Sequence, residues 1–393
     1  MNLAILGCTG SIGRNTLQVV REMGGDTAVV ALTAGRNVEL LLEQAREFKP
    51  ALVSLSDSDL AEQFRSAWRA ADGDCPTVLF GSEGNLAAVT ESSCDCVVSA
   101  AVGVAGLPAT FEAVRRGMRV ALANKEVLVA AGEIVMREAA RSGSELLPVD
   151  SEHNGVHQCL RSGRHDEVDR IILTASGGPF RKTPAEELRD VTPEQALNHP
   201  TWTMGPRITI DSSTLMNKGF EVIEACHLFD FGPERVQVVV HPQSIVHAMV
   251  EYRDGSVVAQ LCPPDMKLPI RYALTYPKRE LGLADRRLAW DEARELTFEP
   301  PDFEKFSLLR LAYQAVEAGG AAGAIVNAAD EVAVEAFLNR KISYPAISAV
   351  VEETLAKLSG AGAASIEETL EWDARARATA RELCASRPVA SSV

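Results

Sequence analysis

The chain opens on a short apolar run that stops at a glycine, and no other stretch constrains the fold as much. Asn2-Leu3-Ala4-Ile5-Leu6 leads into Gly7-Cys8-Thr9-Gly10-Ser11-Ile12-Gly13, and Thr16-Leu17-Gln18-Val19-Val20 continues as a helix. Strand, glycine turn and helix in this order form the start of a dinucleotide-binding unit. Glycine lets the backbone turn tightly and approach a pyrophosphate, which the free N–H groups of the helix N-terminus then meet. The spacing is GxxGxxG rather than GxGxxG, so on the motif alone a glycine turn without a ligand competes with this reading.

The pattern repeats through the first 150 residues. Ala28–Ala34, Ala51–Leu55, Thr77–Phe80, Cys96–Ala101 and Arg119–Ala123 read as strands, and 106–116 and 130–142 as helices. Alternation of this kind predicts a doubly wound, Rossmann-like parallel sheet. The second strand ends in Gly35-Arg36-Asn37, where an NAD-binding chain places an acid for the ribose 2′-OH. A cation here suits a 2′-phosphate, so NADPH is expected over NADH. Asn124-Lys125-Glu126 falls at a strand's C-terminal end, where open α/β sheets place ligand contacts.

A chain of 393 residues has room for two or three domains. Its charge of −15, from 39 basic and 54 acidic residues, argues against nucleic acid or an anionic membrane as partner. No apolar run is long enough for a membrane span. Most of the eight scattered cysteines lie in apolar contexts and read as reduced core residues of a cytoplasmic protein. Beyond Glu299-Pro300-Pro301-Asp302, helical segments at 307–318, 324–338 and 347–358, and a fourth opened by the capping box Ser365-Ile366-Glu367-Glu368, predict a C-terminal four-helix bundle.

Two acidic segments carry the chemistry. In Leu146–Asn154, apolar residues lead in, so Asp150 and Glu152 are expected at a strand end on one face by period-2 alternation. In Asp211–Glu221 a helix is expected to open, with Ser212, Ser213 and Thr214 at its N-terminal end. Asn217 and Glu221 share its face, with Lys218 beside them. Three carboxylates suit one hard divalent cation; the hydroxyls, amide and ammonium suit a phosphate. Ser176-Gly177-Gly178 follows the apolar run 171–175 as a second phosphate turn. His199 and Trp202 lie in a proline- and glycine-bounded stretch, 198–206, that reads as a lid loop. His153 and His157 are read as structural, and the strand expected over 241–250 as lying outside the chemistry.

Six motifs, in this order, resemble one family: Gly7–Gly13, Ala123–Glu126, Pro148–Asn154, Ala175–Phe180, His199–Gly205 and Met216–Glu221. It is the 1-deoxy-D-xylulose 5-phosphate reductoisomerase family, and the resemblance runs from residue 1 to about 385. It implies an NADPH-binding domain over 1–149, a catalytic domain over 150–276, a linker over 277–301 and the bundle over 302–393. The implied activity is NADPH- and metal-dependent rearrangement and reduction of 1-deoxy-D-xylulose 5-phosphate, by a cytoplasmic homodimer. The implied metal ligands are Asp150, Glu152 and Glu221, for Mg²⁺, Mn²⁺ or Co²⁺. Substrate contacts fall on Lys125, Ser151, Glu152, Ser176, His199, Trp202, Ser212, Asn217, Lys218 and Glu221, with Lys125, Glu152 and His199 as catalytic candidates. Cofactor contacts fall on Thr9, Gly10, Ser11, Ile12, Gly35, Arg36, Asn37, Asn124, Glu126 and Gly205. Cys8 and Arg36 stand where serine and lysine are common in the family. The alternatives are a metal-free NADP dehydrogenase and a non-enzymatic NADPH-sensing module, neither of which needs the three carboxylates and the phosphate pocket together.

Overall fold

In a computed structural model of the chain, residues 1–25, 27–69, 72–202, 204–282, 287–291 and 293–387 are described. The fold is α/β, with two compact units. The first takes Met1–Val127, Val135–Asn154 and Asp265–Arg286, and the second takes Leu128–Ile134, Gly155–Pro264 and Arg287–Val393.

The first unit is built on seven strands: β1 (Asn2–Leu6), β2 (Ala28–Thr33), β3 (Leu52–Leu55), β4 (Thr77–Phe80), β5 (Cys96–Ser99), β6 (Arg119–Leu122) and β7 (Leu146–Pro148). All pair in parallel, in the order β4-β3-β2-β1-β5-β6-β7. Most of their residues are buried, and those of β3 and β5 entirely so, as expected when helices cover both faces; β4, at the sheet's edge, is the most exposed. Strand order reverses at β1, so the crevice beyond the C-terminal ends of β1 and β5 is the expected ligand position of a doubly wound sheet. Helix Lys267–Thr275 returns to this unit late in the sequence. Its Ile270, Ala273 and Leu274 join the core with Leu3, Ile5, Leu32 and Val98, and its Arg271 pairs with Glu22.

The second unit carries β8 (Val168–Ala175), β9 (Val236–Val240), β10 (Val246–Tyr252) and β11 (Val257–Leu261), in the order β11-β10-β8-β9. Here β8 and β9 run parallel, while β10 is antiparallel to both its neighbours. Helices Ser307–Ala318, Ala322–Leu338, Tyr344–Lys357 and Ile366–Ala385 make up the C-terminal part. Leu308, Val326, Phe337, Ile347, Val350 and Leu383 share one core with Phe180, Ile210 and Phe220. At the last helix the Ser365 side chain accepts the Glu368 N–H as expected, but the other half of the box is shifted by one residue, with Glu368 Oε2 accepting the Ala364 N–H. The strand expected over 241–250 starts only at Val246. Pro242 and the left-handed Ser244 (φ 49°) keep the segment before it out of the ladder. The described cysteines form no disulfide, and all but Cys75 are buried. Among the described residues no helix is long and apolar enough to cross a membrane.

Candidate active site

The glycine turn is steric as well as flexible. A methyl group on Gly7 (φ 89°) would lie 2.4 Å from the Ala100 carbonyl oxygen, and one on Gly13 would lie 2.4 Å from Cys8 Cα and from the Gly7 carbonyl. The turn thus presses the end of β1 against the chain leaving β5 and draws helix Ser11–Met23 onto the strand. Gly7 and Cys8 donate their N–H groups to the Thr33 carbonyl, at 3.0 and 2.8 Å. Gly10 and Ser11 are exposed at the helix start, as are Gly35, Arg36 and Asn37 beyond β2. Asn37 caps the next helix through Leu40 N–H at 3.0 Å. Cys8 is buried, and burial pushes its thiol far up the scale, away from the reactive thiolate.

Beyond β6, Asn124 is buried and donates Nδ2–H to the Gly103 carbonyl at 2.9 Å. Its Oδ1 is also buried but accepts no hydrogen bond among the described residues. A buried acceptor left over in the crevice of a doubly wound sheet suits a donor brought by a ligand. The glycine cradle and this acceptor both fit a dinucleotide.

The first acidic pair departs from the sequence reading. Strand β7 stops at Pro148, and a helix, Ser151–Leu160, starts directly after Asp150. Asp150 and Glu152 are therefore gathered by a helix N-terminus, not by strand alternation. Asp150 Oδ1 accepts the Glu152 N–H at 3.2 Å, and the Lys125 ammonium lies 2.8 Å from Asp150 Oδ2. Ser151 Oγ donates to Glu152 Oε2 at 2.9 Å. The carboxylates gain from the helix dipole what they would have lacked on a strand.

The second acidic segment departs too. Asp211, Ser212 and Ser213 close the helix Pro206–Ser213, and the next helix, Met216–Phe229, starts afresh. Proline at the first turn after Gly205 starts the earlier helix upstream of the hydroxyls, so Ser212 sits at a C-terminal end. The join is sharp because Leu215, a buried non-glycine residue, takes the left-handed conformation at φ 60°. Such an outlier persists only where surrounding packing imposes it, and it marks functional corners. It places Asn217 and Lys218 in the first turn of the new helix. Glu221, buried on the same helix, accepts from Asn217 Nδ2 at 2.6 Å and pairs with the Lys218 ammonium.

In the same unit, β8 ends at Ala175 and the turn Ser176-Gly177-Gly178 follows. Ser176 Oγ lies 3.0 Å from His199 Nε2. His199 Nδ1 accepts the backbone N–H groups of Thr201 and Trp202, at 3.1 and 2.9 Å. Two donors into Nδ1 place the ring proton on Nε2, which then donates to Ser176. Burial lowers the pKa of this imidazole, which keeps it neutral. Gly178 lets the turn lie flat on the other phosphate segment: a methyl group there would be 2.7 Å from the Ser212 carbonyl oxygen. Ser176, His199 and Ser212 are thus brought to one corner of this unit. Trp202 sets its ring edge-on against His247, with centroids 6.5 Å apart. The sequence reading had set His247 aside, and a contact 45 positions away along the chain leaves no trace in local spacing.

Comparison with known proteins decides the family. Residues 3–132 match the family model 1-deoxy-D-xylulose 5-phosphate reductoisomerase, 146–229 its C-terminal domain model, and 261–379 the DXP reductoisomerase C-terminal domain. The reductoisomerase of Solibacter usitatus (strain Ellin6076) is 55% identical over 388 residues, 98% of each chain. That of Chlorobaculum tepidum is 51% identical over 384 residues, 97% of this chain and 99% of the relative. The chain belongs to the 1-deoxy-D-xylulose 5-phosphate reductoisomerase family. The Zymomonas mobilis reductoisomerase, solved in complex with NADPH, superposes with a TM-score of 0.90 at 42% identity, covering 98% of this chain and 99% of that one. A reductoisomerase solved with NADPH, fosmidomycin and magnesium superposes at 0.91 and 39% identity, over 98% of each chain. Family membership agrees with the resemblance first seen in the six motifs, and nothing found favours an NADPH-sensing module. Of the cofactor positions that the reductoisomerase resemblance implies, Thr9 to Ile12, Gly35 to Asn37, Asn124 and Glu126 fall in the first unit and Gly205 in the second.

Proposed function

We propose that this protein converts 1-deoxy-D-xylulose 5-phosphate to 2-C-methyl-D-erythritol 4-phosphate with NADPH and a divalent cation, as a cytoplasmic homodimer. The observation that carries this reading is identity of 55% with a reductoisomerase across 98% of both chains. The three-part division at 149, 276 and 301 is part of the same reading.

In this reading Asp150, Glu152 and Glu221 would hold the cation, each through a carboxylate oxygen. Three hard oxygen donors suit Mg²⁺, Mn²⁺ or Co²⁺ and exclude a soft site. When bound, the cation supplies Lewis acidity to substrate oxygens and NADPH supplies a hydride. Lys125 holds Asp150 in place and offers a second cationic contact to the substrate's hydroxyls. Ser151 orients Glu152, which handles the proton of a substrate hydroxyl. Ser176 and Ser212 donate to phosphate oxygens, with Asn217 and Lys218 beside them. Neutral His199 sets the Ser176 hydroxyl and ties it to the backbone of Thr201 and Trp202. Phosphate binding thereby reaches the loop bearing Trp202, which covers the substrate.

The test is turnover of purified protein with 1-deoxy-D-xylulose 5-phosphate, NADPH and Mn²⁺, followed by loss of nicotinamide absorbance. A chelator should abolish turnover. Activity that survives chelation would favour a metal-free dehydrogenase.

A further inference from the structure

A buried charged cluster that the chemistry does not use lies behind Ser212. Arg207 and Asp211 sit one turn apart on helix Pro206–Ser213 and face helix Ala322–Leu338. The Arg207 guanidinium donates to Asn327 Oδ1 at 2.8 Å and lies 3.5 Å from Glu331, 3.7 Å from Asp211 and 3.9 Å from Asp330. Asn327 and Asp330 have no exposed surface. No N–H or hydroxyl donor reaches either Asp330 oxygen among the described residues. Asp211 faces Asp330 as well, and a bond between two carboxyl groups needs one proton between them. Burial first, and the Asp211 charge second, raise the Asp330 pKa far above the carboxylate range, which favours the neutral acid at Asp330. Arg377 meets the outer charges of the cluster, Glu331 and Asp373.

A second tie holds the other end of the same helix. The Tyr344 hydroxyl, buried on helix Tyr344–Lys357, donates to the Ser213 carbonyl at 2.8 Å. A helix of eight residues has too little intrinsic stability to place itself, so docking sets the position of its last turn. Beside the apolar packing of Ile210 with Phe180 and Phe220, both polar ties come from the C-terminal helices, and that last turn bears Ser212.

We propose that Asp330 and Tyr344 are positioning residues for the substrate's phosphate, fixing helix Pro206–Ser213 so that Ser212 faces the phosphate opposite Ser176. This rests on the reading above in which Ser176 and Ser212 hold a phosphate. Neither residue touches substrate. Asp330 acts through Asp211, and Tyr344 acts through Ser213. The neutral state of Asp330 makes the assignment testable, because asparagine keeps its shape and can donate to Asp211, whereas alanine leaves a void and no donor.

Two readouts test it on the full-length protein. The first is the split between KM and kcat with 1-deoxy-D-xylulose 5-phosphate; the second is calorimetric affinity for inorganic phosphate. Asp330→Ala should weaken both KM for the sugar phosphate and phosphate affinity about tenfold, the loss of one well-placed contact. The KM for NADPH should move far less, since of the cofactor contacts only Gly205 adjoins this helix, and kcat should change little. Asp330→Asn should restore wild-type values, and Tyr344→Phe should weaken phosphate affinity in the same direction as Asp330→Ala. Where Asp330→Ala does not fold, the Asn and Phe variants carry the test. An Asn variant without wild-type phosphate affinity, an equal loss of NADPH affinity, or a fall in kcat alone overturns the proposal. So does a wild type that binds no inorganic phosphate. A wild type inactive on the sugar phosphate, yet showing the phosphate pattern, would fail the functional reading and leave this one standing.

Discussion

At the residue scale, charge and protonation decide three outcomes. Glu221 is a buried carboxylate set against the Lys218 ammonium. Glu221→Gln keeps its shape, removes a metal ligand's charge and removes the negative charge facing Lys218. Breaking a buried pair costs about 3–5 kcal/mol, so the variant should lose most turnover and some thermal stability while keeping NADPH affinity. Normal turnover with unchanged metal affinity would sink the carboxylate site. Arg36 is exposed just beyond β2, where a 2′-phosphate would lie. A charge-assisted contact contributes about 1.5–3 kcal/mol, so Arg36→Ala should weaken NADPH roughly ten- to a hundredfold and NADH far less. Equal weakening of the two cofactors would refute the assignment. His199 works as a neutral ring, and burial holds its pKa below the imidazole range. A folded pKa below the unfolded value contributes stability that is present above about pH 6.5 and is lost as pH falls through the folded value. Protonation also blocks Nδ1 as an acceptor for Thr201 and Trp202. We therefore expect kcat/KM to fall on the acid side. In His199→Asn, whose amide oxygen can stand in for Nδ1, that acid limb should be absent. An unchanged limb in the variant would assign it to another group.

At the element scale, the glycine turn joins strand to helix by contact of backbone on backbone. Gly13→Ala puts a methyl group 2.4 Å from Cys8 Cα, with no flexible side chain to yield. Overpacking of this kind costs about 1–3 kcal/mol, and relief can come only by moving helix Ser11–Met23 off β1. The prediction is a lower unfolding midpoint together with strongly reduced NADPH binding; a variant with wild-type cofactor affinity would show that the close approach is not needed. This element was legible in the sequence because glycine and an apolar run report a local geometry. The two acidic segments were legible as chemistry but not as geometry. Asp150 and Glu152 alternate as strand residues do, yet Pro148 ends β7 and a helix takes over at once. Ser212 and Ser213 read as a helix start, but Gly205-Pro206 had already set the start six residues earlier, and the left-handed turn at Leu215 has no glycine to announce it. The ties from Asp330 and Tyr344 lie more than a hundred residues from the helix they hold, beyond the reach of any local pattern.

At the scale of the whole molecule, the two compact units each draw on separated stretches of chain. Residues 265–282 return to the N-terminal sheet after the second unit's strands are complete. Sequence periodicity predicts elements, and it carries no signal for a late helix such as Lys267–Thr275 joining a core laid down by the first 150 residues. The division has a thermodynamic consequence. Every proposed NADPH contact except Gly205 lies in the first unit, whereas Ser176, His199, Ser212, Asn217 and Lys218 all lie in the second. NADPH and inorganic phosphate should then each raise the unfolding midpoint without the other. A ligand at a hundred times its Kd stabilises what it binds by about 2.7 kcal/mol, enough for a shift of several degrees. A chelator should leave both shifts in place, because neither ligand set needs the cation, although turnover then stops. The measurement is a thermal titration with each ligand alone, with both, and with a chelator. Loss of the phosphate shift in the absence of NADPH would show that the two sets are coupled before substrate arrives. Loss of the NADPH shift on chelation would place the cation in the cofactor's own binding and break the assignment of Asp150, Glu152 and Glu221 to the substrate.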